Sequence, residues 1–67
     1  MLSAKVIGER LLSLRGEKPQ KEVADAVKVS CSAIAMYEGG HRIPRDEVKE
    51  RIAAYYGKSI EELFYAQ

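Results

Sequence analysis

The sequence contains no tryptophan and a single cysteine, Cys31. One thiol cannot close an internal disulfide or assemble a cysteine-based zinc site. That usage fits a reducing cytosol. The one histidine, His41, has no second histidine or thiol at ligand spacing, so no metal and no cofactor are expected. No apolar run approaches the ~18 residues a membrane span requires, and no signal-peptide pattern opens the chain, which predicts a cytoplasmic protein without a membrane partner. An excess of either charge is also missing. Eleven Lys and Arg stand against ten Asp and Glu, for a net charge of +1. Net charge therefore selects no polyanionic partner, and any basic footprint has to come from placement. Strand-like alternation, repeats, linkers and low-complexity segments are absent. So are a nucleophile–base set and a phosphate loop, which argues against an enzyme and against a small-molecule ligand.

What is present is a helical pattern in a chain that is 46% hydrophobic, enough for one packed domain over residues 1–67. Ile7, Leu11 and Leu14 form a stripe on a first helix from about Ser3 to Arg15, with Ser3 a candidate N-cap. "GEKP" (Gly16–Pro19) breaks that pattern, and Pro19 suits the start of a second helix. This helix, about Gln20 to Val27, should bury Val23, Ala24 and Val27. "KVS" is a tight connection. Ser30 is placed to cap a third helix by accepting from Ser32 and Ala33, and Gly39-Gly40 stops it. In the loop "GGHRIP", Ile43 is expected to dip into the core. Pro44 precedes a fourth helix, about Arg45 to Tyr56, with Asp46 and Glu47 in its first turn. Val48, Ile52 and Tyr56 (or Tyr55) make its stripe, and Gly57 ends it. "SIEE" (Ser59–Glu62) matches a capping box opening a short fifth helix with Leu63 and Phe64 inward. The fold class is all-α, a bundle of five short helices.

The third helix is unusual in what it leaves outside. At about 100 degrees per residue, Ile34 and Tyr37 lie about 60 degrees apart and share the core face. Ser32, Ala35 and Met36 lie opposite, with Cys31 at the edge. This outer face is slim and uncharged until Glu38, where a solvated helix would carry Lys and Glu. Two short helices joined by a tight turn, the second bare outside and capped at its start, form a helix-turn-helix at about residues 20–38. A slim helix fits a DNA major groove ~12 Å wide, and its N-terminal N–H groups suit a phosphate.

At these residues the chain resembles the phage-repressor and Cro type of helix-turn-helix regulator, the XRE family. The resemblance rests on "IGERLLSLRGEKPQKEVADAV", "VSCSAIAMYEGG" and "RIPRDEVKERIAAYYGKSIEELF" in that order, and it covers Val6 to Phe64. It implies five helices, a lambda-repressor-like domain, and a nucleoid-associated repressor that binds double-stranded DNA as a homodimer on a partly palindromic operator. The settings it implies are a prophage, a mobile element, a toxin–antitoxin pair or a restriction–modification controller. It assigns Ser30, Cys31, Ser32, Ala35 and Met36 to base reading. Gln20 matches the family's phosphate-binding glutamine. Gly40, His41 and Arg42 match a loop that offers N–H groups and basic side chains to phosphate. Arg15 and Glu38 match a structural ion pair, in which deleting one partner strands the other. Lys21, Lys28 and Arg45 lie near the expected DNA face and are further candidates for phosphate contact.

Three departures qualify the match. Lys28 stands where glycine is common; if its backbone is left-handed, the strain is ~1 kcal/mol. Cys31 and Ala35 replace a frequent Arg and a frequent Ser. Both changes remove hydrogen-bonding capacity and with it the usual bidentate readout of guanine. Ala35 and Met36 retain apolar contact with thymine methyls, and DNA shape can add selectivity. Cys31 at the helix start admits a redox role, though a small residue fitting the groove is the plainer reading. Tyr55, Tyr56, Phe64 and Tyr65 crowd the last thirteen residues. That crowding predicts an exposed self-association patch at Tyr55, Leu63 and Tyr65. The competing reading is a protein-interaction module, an antitoxin- or anti-regulator-like helix-turn-helix that binds another protein through the bare helix face or the aromatic tail. The near-neutral charge and the missing Arg favour it; the basic residues around Gln20 and the His41–Arg45 loop oppose it.

Overall fold

Ser3 sets the first helix: its Oγ accepts from the Val6 N–H at 3.2 Å, and α1 runs Ala4–Arg15. The computed structural model describes residues 1–67 and continues with α2 (Gln20–Val27), α3 (Cys31–Glu38), α4 (Asp46–Tyr56) and a closing turn, α5 (Glu61–Tyr65). There is no strand, and no helix is long and apolar enough to cross a membrane. The first four helices begin and end where their caps and breakers place them. Ser30 Oγ accepts from the Ala33 N–H at 3.0 Å alone, without Ser32. Gly57, at φ 66°, turns the chain out of α4.

All five segments contribute to one core. Ile7 and Leu11 of α1 meet Val23, Ala24 and Val27 of α2, Ile34 and Tyr37 of α3, Val48, Ile52 and Ala53 of α4, and Leu63 and Phe64 of α5. Ile7, Val27 and Phe64 have no exposed surface. Gly8 lets α1 reach the end of α3: a Cβ there would stand 2.6 Å from the carbonyl oxygens of both Tyr37 and Glu38. No side chain fits such an approach, so this glycine sets the distance between the two helices.

Three expectations are corrected. Ile43 does not enter the core; it stays 36% exposed, while Pro44 beside it is fully buried. Proline has no N–H that would need a partner inside, which makes it the easier of the two to bury at the mouth of α4. Leu63 is 3% exposed, a core residue and not part of a surface patch. α5 is a wide π-type turn, with the Ala66 N–H reaching back to Glu61 O at 2.7 Å. Its carbonyls are taken from outside: Arg10 donates to Glu62 O at 2.6 Å, and the Leu2 N–H donates to Phe64 O at 2.9 Å. The capping box does form. Ser59 Oγ accepts from the Glu62 N–H at 3.0 Å, and Glu62 Oε1 accepts from the Ser59 N–H at 2.9 Å. These bonds from Ser59 hold the Glu62 carboxyl below its usual range.

Lys49 is a feature the sequence did not reveal. It sits on the inner face of α4, 5% exposed. Its Nζ lies 3.2 Å from Met1 Sδ, 3.5 Å from Tyr65 Oη and 3.6 Å from Asp46 Oδ1, and it stands over the Phe64 and Tyr65 rings. Aromatic faces and one carboxylate offset the loss of water around this ammonium.

Candidate nucleic-acid interface

α3 presents the outer face expected of it. Ile34 and Tyr37 are buried at 3% and 4% exposure, while Cys31, Ser32, Ala35 and Met36 are exposed. From Cys31 to Tyr37 the helix carries no charged side chain. Ser30, exposed, uses its oxygen for the cap and keeps its hydroxyl proton to donate elsewhere.

One carboxylate fixes this helix relative to its neighbours. Glu38, with its side chain 5% exposed, accepts from Arg15 Nε at 2.7 Å and from Gln20 Nε2 at 3.0 Å. The Arg15 guanidinium also donates to Lys18 O. The end of α1, the start of α2 and the end of α3 thus converge on a single group. The hydrogen bond from Arg15 to Glu38 holds the guanidinium more firmly protonated than usual. Nearby, burial pushes the Tyr56 hydroxyl up to about 12, with the Glu38 charge adding to the effect. The bond from Gln20 to Glu38 was not legible in the sequence, although their mutual fit, an amide beside a carboxylate with one oxygen left over, is simple chemistry once the fold brings them together. Gln20 keeps its second amide proton and its carbonyl oxygen for another partner.

The α2–α3 turn passes through Lys28, which takes the left-handed backbone, φ 62° and ψ 46°. It is the one non-glycine residue with positive φ. Its side chain is exposed. Lys21 is exposed too and pairs at 3.1 Å with Asp25, an arrangement of small energetic weight in water. Past α3, His41, Arg42 and Arg45 are all exposed. Two of the three amides expected to be free in this loop are not available, and only that of Arg42 stays without a partner. Gly40 N–H donates to Tyr37 O at 3.2 Å and His41 N–H to Met36 O at 3.0 Å, because the end of α3 uses both to satisfy its last carbonyls. Gly40, at φ 76° with Lys5 Cα 3.1 Å from where a Cβ would be, serves the turn instead.

Tyr55 packs edge-on against Tyr56 and carries Lys18 Nζ 4.9 Å from its ring centre. Tyr65, 41% exposed, belongs with Lys49.

A family model described as helix-turn-helix matches residues 11–63. No curated protein and no solved structure matches the chain. The family match runs from the middle of α1 to the core residue Leu63, and so includes the two-helix unit, its turn and the carboxylate that ties them. The chain belongs to the XRE family of helix-turn-helix proteins, the phage-repressor and Cro type, and is a DNA-binding transcription regulator of that type.

Proposed function

We propose that this regulator is a repressor and that it binds a partly palindromic operator as a homodimer, one α3 in each of two successive major grooves. The single observation that carries the reading is the outer face of α3: exposed, slim and free of charge over Cys31–Tyr37, with basic side chains before and after it. Ser30, Cys31, Ser32, Ala35 and Met36 face the bases. Gln20, Lys21, Lys28, His41, Arg42 and Arg45 take phosphates. With no Arg, Asn or Gln on the reading face, bidentate pairing to guanine or adenine is not offered. The apolar surface of Ala35 and Met36 favours thymine methyls, the serine hydroxyls can hydrogen-bond to any base edge, and DNA shape supplies the remaining selectivity. Self-association involves the carboxyl-terminal end, through Tyr65 and the half-buried Tyr55.

The test is selection of bound duplexes from a random pool. The expected result is a palindromic site whose half-sites lie ~10 base pairs apart, centre to centre, with thymine enriched in the half-sites. A single unrepeated motif, with monomer only in sedimentation, rules out the dimer. A reporter placed behind the selected site should fall in output; a rise makes the protein an activator. The protein-interaction reading draws on the same uncharged face. Salt separates the two: DNA affinity falls steeply with a log–log slope of about 0.9 per phosphate neutralised, and an apolar protein partner responds weakly.

A further inference from the structure

Four cations that are scattered in the sequence meet in one cleft. An opening of about 460 Å³ lies between the α2–α3 turn and the segment that leads into α4, and Lys28, Arg42, Arg45 and Arg51 line it. Glu47 is the one acidic side chain on its wall. It pairs with Arg45 at 3.5 Å, both groups exposed to water, which leaves three cations without a carboxylate. Arg51 differs from the others in being half-buried. Its Nε donates to Val27 O, the last carbonyl of α2, at 2.8 Å. That bond holds the guanidinium in place and leaves its two terminal nitrogens without a hydrogen-bond partner in the protein. Lys28 lines the same cleft from the left-handed α2–α3 turn. Like charges gathered at a cleft with protein walls focus a positive potential there, and planar guanidinium groups match the oxygens of a phosphate.

We propose that this cleft is a phosphate-binding site with Arg51 as its inner, positioned member. On the operator-binding reading above, the phosphate is one of the DNA backbone, flanking the groove that α3 enters. The cleft itself stands without that reading, since a free phosphate would meet the same groups. Arg51 thereby joins the contact surface from α4, an element otherwise concerned with the core.

Two arms test this. In the first, affinity for the selected duplex is measured from about 50 to 200 mM salt for the wild type, Arg51→Met and Lys28→Gly. Each variant is expected to lower the log–log slope by about 0.9. Lys28→Gly relieves a strained backbone, so its loss cannot be attributed to poorer folding. Lys58→Met, a lysine lining a different cleft, should leave the slope alone. In the second arm, inorganic phosphate is titrated at constant ionic strength while amide and arginine side-chain NMR signals are followed. Signals of Lys28 and Arg51 are expected to move in the wild type and to stay fixed in Arg51→Met. A lowered slope supports the site with DNA as the source. An unchanged slope with phosphate-dependent shifts supports it with free phosphate as the source. An unchanged slope and no shifts overturn it. Failure of the wild type to bind any duplex sinks the operator reading alone, and the NMR arm then decides the cleft.

Discussion

α3 and α5 are built from similar instructions and put to opposite uses. Each follows a serine that caps it, Ser30 or Ser59, and each sends two large side chains inward, Ile34 and Tyr37 or Leu63 and Phe64. α3 is held at its ends, by the Ser30 cap and by the Glu38 clamp, and its outer face is left exposed. α5 is held throughout. Arg10 and Leu2 take its carbonyls, Phe64 is completely enclosed, and Tyr65 leans on Lys49. One segment is a rod with a free side and the other is a plug. A cap fixes where a helix starts; only its neighbours determine which of its sides remain open for a partner.

Substitutions can break that contrast or sharpen it. The largest effect belongs to the plug. Phe64→Ala should cost ~3–5 kcal/mol, comparable with the whole stability of so small a domain, and leave the chain largely unfolded in a urea titration. A midpoint close to wild type would mean that α5 is dispensable. Glu38→Ala strands Arg15 and Gln20 together and should lower the melting temperature by about 10 °C or more; a melt that overlays wild type removes the clamp from the argument. Tyr56, beside the clamp, acts in alkali. Its neutral form is favoured in the folded state, so its contribution is complete below pH 10 and is lost as pH rises from 10 to about 12. Tyr56→Phe should flatten that part of the stability–pH curve measured by thermal melts. Lys28→Gly should raise stability by ~1 kcal/mol, since only the left-handed strain is removed. Ala35→Glu sets the lower limit. On an exposed helix position its effect on folding should stay within about 0.5 kcal/mol, while DNA binding is abolished by a carboxylate placed against the groove. A large loss of stability would show that the rod's free side is not free.

Legibility followed the range of the interaction. Ser3, Ser30, the Ser59–Glu62 box and Gly57 act within one helical turn, so the bounds of the first four helices could be read directly. The wheel of α3 worked because Ile34 and Tyr37 leave no ambiguity about the inner side. The errors lie where two segments far apart meet. Ile43 was the residue of its loop expected in the core, and nothing local said that Pro44 would be buried in its place. Leu63 was read both as inward on the fifth helix and as part of a surface patch, and packing into the shared core decides for the first. A local miss joins these: the amides of Gly40 and His41 looked free in the sequence and are consumed by the end of α3, three and five residues back. Lys49 reads as a surface lysine; Met1, Phe64 and Tyr65, contributed by both ends of the chain, enclose it.

The sequence by itself determined the all-helical class, the order of the helices, the two-helix unit and the bare face of α3, because periodicity, caps and breakers operate over a few residues. The tertiary structure decided the rest. It put Gln20, Arg15 and Glu38 on one another, buried a lysine among aromatics, and gathered Lys28, Arg42, Arg45 and Arg51 around one cleft. Charges and hydrogen-bonding groups act across space, and their neighbours in space are chosen by how the hydrophobic faces pack, which no local pattern encodes.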